Sequence, residues 1–258
     1  MIGDVLKYDE ALSGLERCYV RLFGAPISGL KIRCRRILPS IPGGLSDILD
    51  VGCGTGVFTM EIAKRFPAAR VVGIDNVSAL TEKCKSIAHR SGLSNCTFLT
   101  MDALRMSFQK QFDLVLCIDN LEHIEDDLAV LKGIHDSLKE QGAAIIHVPN
   151  YLRRWFFTGW RVNFDVAGHV RPGYPWSELM DKLKATGFVI ERASYTYGLL
   201  ENLTNNISYL ITRAERRNKH LYALLFPLLD SIAFLGRNSR PKMGAGILAI
   251  ARKHESTP

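Results

Sequence analysis

The chain has 258 residues, enough to bury one sizeable core with attachments. Its composition is that of an ordinary globular protein, which excludes a collagen-like or wholly disordered chain. A net charge of +7 and a pI near 9.1 favour an anionic partner or surface without saying which.

Six cysteines stand at positions 18, 34, 53, 84, 96 and 117. None forms a C-x-x-C pair or a zinc-like spacing, so no metal is expected, and free thiols fit a reducing cytosol. The segment Met1 to Glu10 is mixed and polar, unlike a signal peptide. No run reaches the ~18 apolar residues that span a bilayer. A cytoplasmic protein is therefore expected, with a peripheral place on the inner face of a membrane left open.

Residues 1–44 read as helical, with Leu12, Leu15, Tyr19, Leu22 and Phe23 at helical spacing. The basic run Lys31 to Arg36 reads as a solvated helix face. Pro39, Pro42, Gly43 and Gly44 then break the pattern. From 45 to 150, strands alternate with helices: Ile48–Val51, Arg70–Asp75, Cys96–Asp102, Phe112–Asp119 and Ala143–Asn150 read as strands. Helices are expected at Val57–Arg65 and Leu128–Lys139, with Gly142 closing the latter. That alternation predicts an α/β fold, with a parallel sheet covered on both sides.

Residues 151–176 interrupt the pattern and hold all three tryptophans, so an aromatic cap loop is expected there. Ser177 is placed to cap a helix over Glu178–Thr186, and a sixth strand starts at Gly187-Phe188. Segments 177–198 and 244–254 complete the sheet, the last strand being Gly246–Arg252. Between them, 199–243 is a helical insertion whose apolar run, Leu221 to Leu235, contains Pro227. Two readings of this run stay open. One is a cap packed on the core or another subunit; the other is a helix lying on an anionic membrane surface. Basic residues also gather at Arg153-Arg154, from Arg213 to Lys219 and from Arg237 to Lys242.

The chemistry is concentrated in Ile48-Leu49-Asp50-Val51-Gly52-Cys53-Gly54-Thr55-Gly56, a buried strand feeding a glycine turn and then a helix. Glycines allow close backbone approach to a ligand, and the helix start offers unpaired N–H groups. The spacing is G-x-G-x-G rather than the dinucleotide G-x-G-x-x-G, and no G-K-[ST] follows. Asp50 repels a pyrophosphate and suits a cofactor bearing an ammonium group. Asp50, Asp75, Asp102 and Asp119 all fall where a strand yields to a loop, the ligand-binding edge of open α/β sheets.

These residues resemble motif I of the class I S-adenosylmethionine-dependent methyltransferases, of the type 11-like small-molecule and lipid branch. The resemblance implies a Rossmann-like seven-stranded sheet with strand seven antiparallel, N-terminal helices as a lid, and caps inserted after strands five and six. It implies S-adenosylmethionine as cofactor and S-adenosylhomocysteine as product. Asp50, Gly52, Cys53, Gly54 and Gly56 would hold the methionine end. Asp75 with Asn76 would hold the ribose, Asp102 with Ala103 the adenine, and Asp119 would complete the cofactor site. Gly168-His169-Val170-Arg171 through Gly187-Phe188 matches a further family pattern.

A base for an oxygen acceptor is sought past the fourth strand, in Asp119-Asn120-Leu121-Glu122-His123. His123 with Glu122 is the candidate pair, the alternative being that they merely hold the loop. Tyr19, His147, Trp155, Trp160 and His169 are candidate acceptor contacts, the alternatives being a packing role for Tyr19, a buried neutral histidine for His147 and a backbone contact for His169. The N-P-P-Y type motif of amino-directed nucleic-acid methyltransferases is missing, so nucleic acid is disfavoured. The expected acceptor is an apolar, lipid-linked or prenyl- or glycolipid-type small molecule, methylated at oxygen. A hydrophilic metabolite, or a cofactor-binding partner protein without catalysis, stays open as an alternative. The oligomeric state is not read from the sequence.

Overall fold

The computed structural model describes residues 1–155, 158–163, 168–212 and 218–253. Phe156 and Phe157 of the aromatic segment, Arg213, Arg216 and Arg217 of one basic run, and position 254 lie outside them. Helices α1 (Gly14–Phe23) and α2 (Ser28–Ile37) precede strand β1 (Asp47–Val51). Then follow α3 (Val57–Arg65), β2 (Arg70–Asp75), α4 (Ser78–Arg90), β3 (Cys96–Thr100), β4 (Phe112–Ile118), α5 (Asp127–Ser137) and β5 (Leu138–Pro149). A hairpin, β6 (Leu152–Trp155) and β7 (Gly159–Val162), leads to α6 (Trp176–Ala185) and β8 (Phe188–Thr196). Helices α7 (Leu199–Thr212) and α8 (Lys219–Leu235) come before the last strand, β9 (Gly246–Lys253).

Seven strands form one sheet in the order β3-β2-β1-β4-β5-β9-β8. The strands from β3 to β5 pair in parallel, while β9 runs antiparallel to both β5 and β8. This is the expected seven-stranded Rossmann-like sheet. Its two-residue period sorts side chains between two apolar layers. Ile48, Leu114 and Leu116 face the layer containing α3 and α4, while Leu49, Val51, Val115 and Cys117 face that of α5 and α6. Asp50 shares the face of Ile48, which sets it under α3.

Several local expectations are corrected. Helix α5 ends at Ser137, because Leu138 is buried and pairs with Phe112 at the start of a longer strand. Gly142 therefore lies inside β5 and closes no helix. Helix α6 starts at Trp176 behind Pro175, so Ser177 is inside it and caps nothing. Proline presets the flanking backbone angle and needs no donor there. The stretch read as an aromatic loop contains the β6–β7 hairpin, whose four-residue strands are too short and polar to show a period.

The largest correction concerns α2. Its cations are ion-paired inward, not solvated. Lys31 and Arg35 meet Asp230 of α8 at 2.9 and 2.7 Å, Arg36 meets Glu201 of α7 at 2.5 Å, and Arg33 meets Asp119 at 2.5 Å. Lys31 is 3 % exposed, so its pair compensates for desolvation that would otherwise be prohibitive. This helix fastens the insertion, 199–243, to the sheet. Within α7 the buried face is polar: Glu201, Asn202, Thr204, Asn206 and Ser208.

Candidate active site

The C-terminal ends of β1, β2, β4 and β5 frame the site. After β1 the chain turns through Gly52, Gly54 and Gly56 at φ of 74°, 51° and 69°. A side chain at Gly52 would meet Asn120 at 2.3 Å, and one at Gly56 would meet Cys84 Sγ at 2.7 Å. At Gly54 an added Cβ would meet only open space. Packing thus fixes two of the glycines, while the third faces room that a ligand can enter. The Gly54 N–H donates to Asp75 Oδ2 at 2.9 Å, and the Val77 N–H donates to Asp75 Oδ1 at 3.0 Å. The carboxylate at the end of β2 is thereby aimed at the glycine turn. Each oxygen keeps a lone pair for a ligand hydroxyl.

Asp50 is buried and accepts from Thr59 Oγ1 of α3 at 2.7 Å. Burial pushes its carboxyl up to about 6, with Asp75 adding repulsion and the Thr59 bond opposing both. A cationic ligand group beside this turn would favour its ionised form. Cys53 is half-buried; burial raises its thiol far above the ordinary range, so it remains a neutral, small apolar side chain. Asp102 lies past β3 and accepts the Leu104 N–H at 2.9 Å, while Asn76 is exposed beside Asp75. Ala103 follows Asp102 in a short turn. The sites expected for methionine, ribose and adenine therefore lie along one sheet edge. Together they fit S-adenosylmethionine: a glycine turn with room at Gly54, an acid aimed at it, and a further acid beyond β3.

Beside them, Asp119 adopts φ 48° directly after β4. Both of its oxygens are engaged: Oδ2 with Arg33 Nη1, and Oδ1 with His147 Nδ1 at 2.5 Å. Burial opposes its charge, but Arg33 and then His147 outweigh that and hold the carboxyl at about 2. A carboxylate only accepts, so His147 Nδ1 carries the proton, and Nε2 takes the Thr196 hydroxyl at 2.9 Å. His147 is 1 % exposed. With both ring nitrogens engaged it orients Asp119 and offers an acceptor nothing, so of its two expected roles the buried histidine is the one found.

Glu122 and His123 follow in a short turn. His123 is exposed, and its Nδ1 lies 2.9 Å from the Gly168 carbonyl. A carbonyl cannot donate, so Nδ1 holds the hydrogen, and in that uncharged tautomer Nε2 is the acceptor. The His169 ring stands edge-on to His123 at 4.5 Å. Glu122 is 1 % exposed, and its Oε2 has no hydrogen-bond partner among the described residues. Burial and then the Asp119 charge push its carboxyl well above the usual range. Donor atoms of Glu122, His123 and His169 lie within 4.8 Å of one another, a grouping that could also hold a cation and that the sequence spacing did not suggest.

Other expected contacts are placed apart from this cluster. The Tyr19 hydroxyl donates to the Ala223 carbonyl at 2.6 Å, tying α1 to α8; burial raises it to about 12. Trp155 packs edge-on to Tyr209 and under Arg153. Trp160 is partly exposed and lines a small cavity with Tyr197 and Asn202. Arg171 and Lys182 pair with Asp127, and the Tyr174 hydroxyl donates to it at 2.6 Å, so the G-H-x-R segment is pinned to the start of α5. Sequence reasoning missed Arg33, Thr196 and Tyr197. Only the basic run hinted at the first.

The Methyltransferase domain family model matches residues 45–192, more than half of the chain. A ubiquinone biosynthesis O-methyltransferase of Rickettsia canadensis is 26 % identical over 205 residues, covering 73 % of this chain and 86 % of its own. A trans-aconitate 2-methyltransferase of an Enterobacter species is 31 % identical over 106 residues, covering 41 % of this chain and 40 % of its own. The chain thus spans less than half the length of some curated relatives that it matches. The crystal structure of an O-methyltransferase from a Brevibacillus brevis trans-AT PKS multienzyme, in complex with S-adenosyl-L-homocysteine, superposes with a TM-score of 0.58 at 16 % identity. That match covers 100 % of this chain and 81 % of the other. With the glycine turn, the strand-end acids and the seven-stranded order in place, the chain belongs to the class I S-adenosylmethionine-dependent methyltransferase family.

Proposed function

We propose that this chain transfers the methyl group of S-adenosylmethionine to an oxygen of an apolar, lipid-linked or prenyl-type acceptor, working peripherally at a cytoplasmic membrane face. The observation that carries the acceptor class is the outer side of α8. Leu221, Leu224, Leu228 and Leu235 stand exposed there, while Phe226, Leu229 and Ala233 are buried. Such a patch marks an apolar contact. Lys219 at the start of α8 and Arg237 just beyond its end suit anionic headgroups. No helix among the described residues is long and apolar enough to cross a membrane, and the contact proposed is lateral. A ubiquinone biosynthesis O-methyltransferase among the similar chains supports the same class.

S-adenosylmethionine, when bound, supplies an activated methyl on a sulfonium with a good leaving group. The chain's own residues then bind, orient and deprotonate. Gly52, Cys53, Gly54 and Gly56 form the turn against the methionine end, with Asp50 offsetting its ammonium. Asp75 and Asn76 would take the ribose, and Asp102 and Ala103 the adenine. His123 Nε2, unprotonated in that tautomer, accepts the acceptor's proton. Glu122, whose carboxyl burial pushes well above the usual range, turns a donor or acceptor atom toward the same cluster, where a bound acceptor can pair with it. Arg33, Asp119 and His147 hold the floor beneath it.

The polar buried face of α7 favours a second reading, a hydrophilic acceptor. Incubation with methyl-labelled S-adenosylmethionine, offering prenylated phenols in detergent beside small carboxylic acids, separates the two. Label in the phenols supports the proposal. Label only in the acids replaces the acceptor class, and no transfer to any acceptor favours a binding protein without catalysis.

A further inference from the structure

A cleft of about 690 Å³ opens between the end of α2, the edge strand β8 and the segment after α8. Its lining includes Arg35, Arg36, Arg192, Arg237, Arg240 and Lys242, and no carboxylate. Two of these charges are already compensated, Arg35 by Asp230 and Arg36 by Glu201. The other four form no ion pair among the described residues. Among the described residues Arg192 donates to Ser40 Oγ at 2.7 Å, and Arg237 donates to the Phe234 carbonyl and lies over its ring. Arg240 and Lys242 are exposed.

Four like charges around one cavity repel one another, and a carboxylate would neutralise only one of them. A phosphate group carries about −1.5 to −2 and three acceptor oxygens, which suits convergent guanidinium groups. The cavity lies within the size range of small-ligand sites, roughly 300–1,000 Å³. Hydroxyl groups of Ser40, Ser194 and Ser239 add donors, and Trp176 packed on Tyr195 gives one apolar wall. We infer that this cleft binds a phosphate or diphosphate group, separately from the cofactor site. The inference does not depend on methyl transfer, since nothing in it involves the glycine turn.

The shared chemistry has two sources, a soluble diphosphate or a phospholipid headgroup, and one experiment separates them. The full chain is titrated calorimetrically with inorganic pyrophosphate at low salt. In parallel it is sedimented with vesicles of phosphatidic acid in phosphatidylcholine. The variant is Arg240→Ala with Lys242→Ala, two exposed side chains that form no ion pair, so folding is preserved. The control is Lys85→Ala with Lys110→Ala, which removes two cations that do not line the cleft. Saturable pyrophosphate binding, weakened at least about tenfold by the variant and not by the control, supports a soluble ligand. Vesicle binding without pyrophosphate binding, lost in the variant alone, supports a headgroup. Absence of both bindings, or equal losses in variant and control, overturns the inference. Circular dichroism of each variant shows whether a loss reflects unfolding, and Arg192→Ala repeats the test from the sheet side.

Discussion

The Arg33 guanidinium lies 2.5 Å from the Asp119 carboxylate, joining a helix before the sheet to the end of its central strand β4. Asp119 also holds His147, which is bonded to Thr196 at the end of β8. One ion pair and the two bonds behind it therefore link four elements, α2, β4, β5 and β8, around the acceptor side. Arg33→Met is expected to destabilise the protein by about 1–3 kcal/mol, because Asp119 is only part-buried and keeps its bond to His147. Urea unfolding measures it. Arg33→Met with Asp119→Asn should recover part of the loss, and a strictly additive double variant would show that the two groups do not interact.

The same pair has an acid limb. The folded pKa of Asp119 is depressed to about 2 from an ordinary 3.8. Its contribution is thus full above the unfolded value and is lost as pH falls through the folded one. Unfolding free energy of the wild type should decline between about pH 4 and 2, and that component should be absent in Asp119→Asn.

Asp50 carries the opposite sign. Its folded pKa is raised to about 6, so ionising it opposes folding as pH rises from about 4 to 6, and the penalty is constant above that. Asp50→Asn should therefore stabilise the ligand-free protein above pH 6, by on the order of 2–3 kcal/mol, and match the wild type near pH 4. It should also weaken cofactor binding. Equal stability at both pH values would mean that Asp50 is better solvated than its burial implies.

The proton-transfer proposal separates two neighbours. His123→Ala should lower turnover about 10²-fold or more while leaving S-adenosylhomocysteine affinity intact. Glu122→Gln should keep most of the activity, because a protonated carboxyl and an amide both donate. Glu122→Ala should not. A Glu122→Gln enzyme as inactive as Glu122→Ala would show that the ionised form is needed. Chelation with EDTA should leave turnover unchanged, and restoration of lost activity by a divalent cation would instead assign the Glu122, His123 and His169 cluster to a metal.

Much of the sheet was legible because its signals are local. The helix Val57–Arg65 has its expected bounds, since apolar spacing and the glycine turn mark both its face and its start. Strand-end acids were visible as single carboxylates after apolar runs. The inward turn of α2 was not legible. Nothing local distinguishes a cation facing water from one facing Asp119, Glu201 or Asp230, all distant in the chain. Likewise, the sequence left His147 between the cleft and the core, and only its partners Asp119 and Thr196, distant in the chain, show that both its nitrogens are engaged.

The cofactor claim rests on Asp75, whose oxygens accept from the Gly54 and Val77 N–H groups and face the glycine turn. Calorimetric titration with S-adenosylhomocysteine, with NAD as control, tests it most directly. The account predicts saturable binding of S-adenosylhomocysteine alone. It further predicts a loss of a few kcal/mol in Asp75→Ala, as for two charge-assisted hydrogen bonds of ~1.5–3 kcal/mol each. Binding of NAD instead, or unchanged S-adenosylhomocysteine affinity in Asp75→Ala, would contradict it.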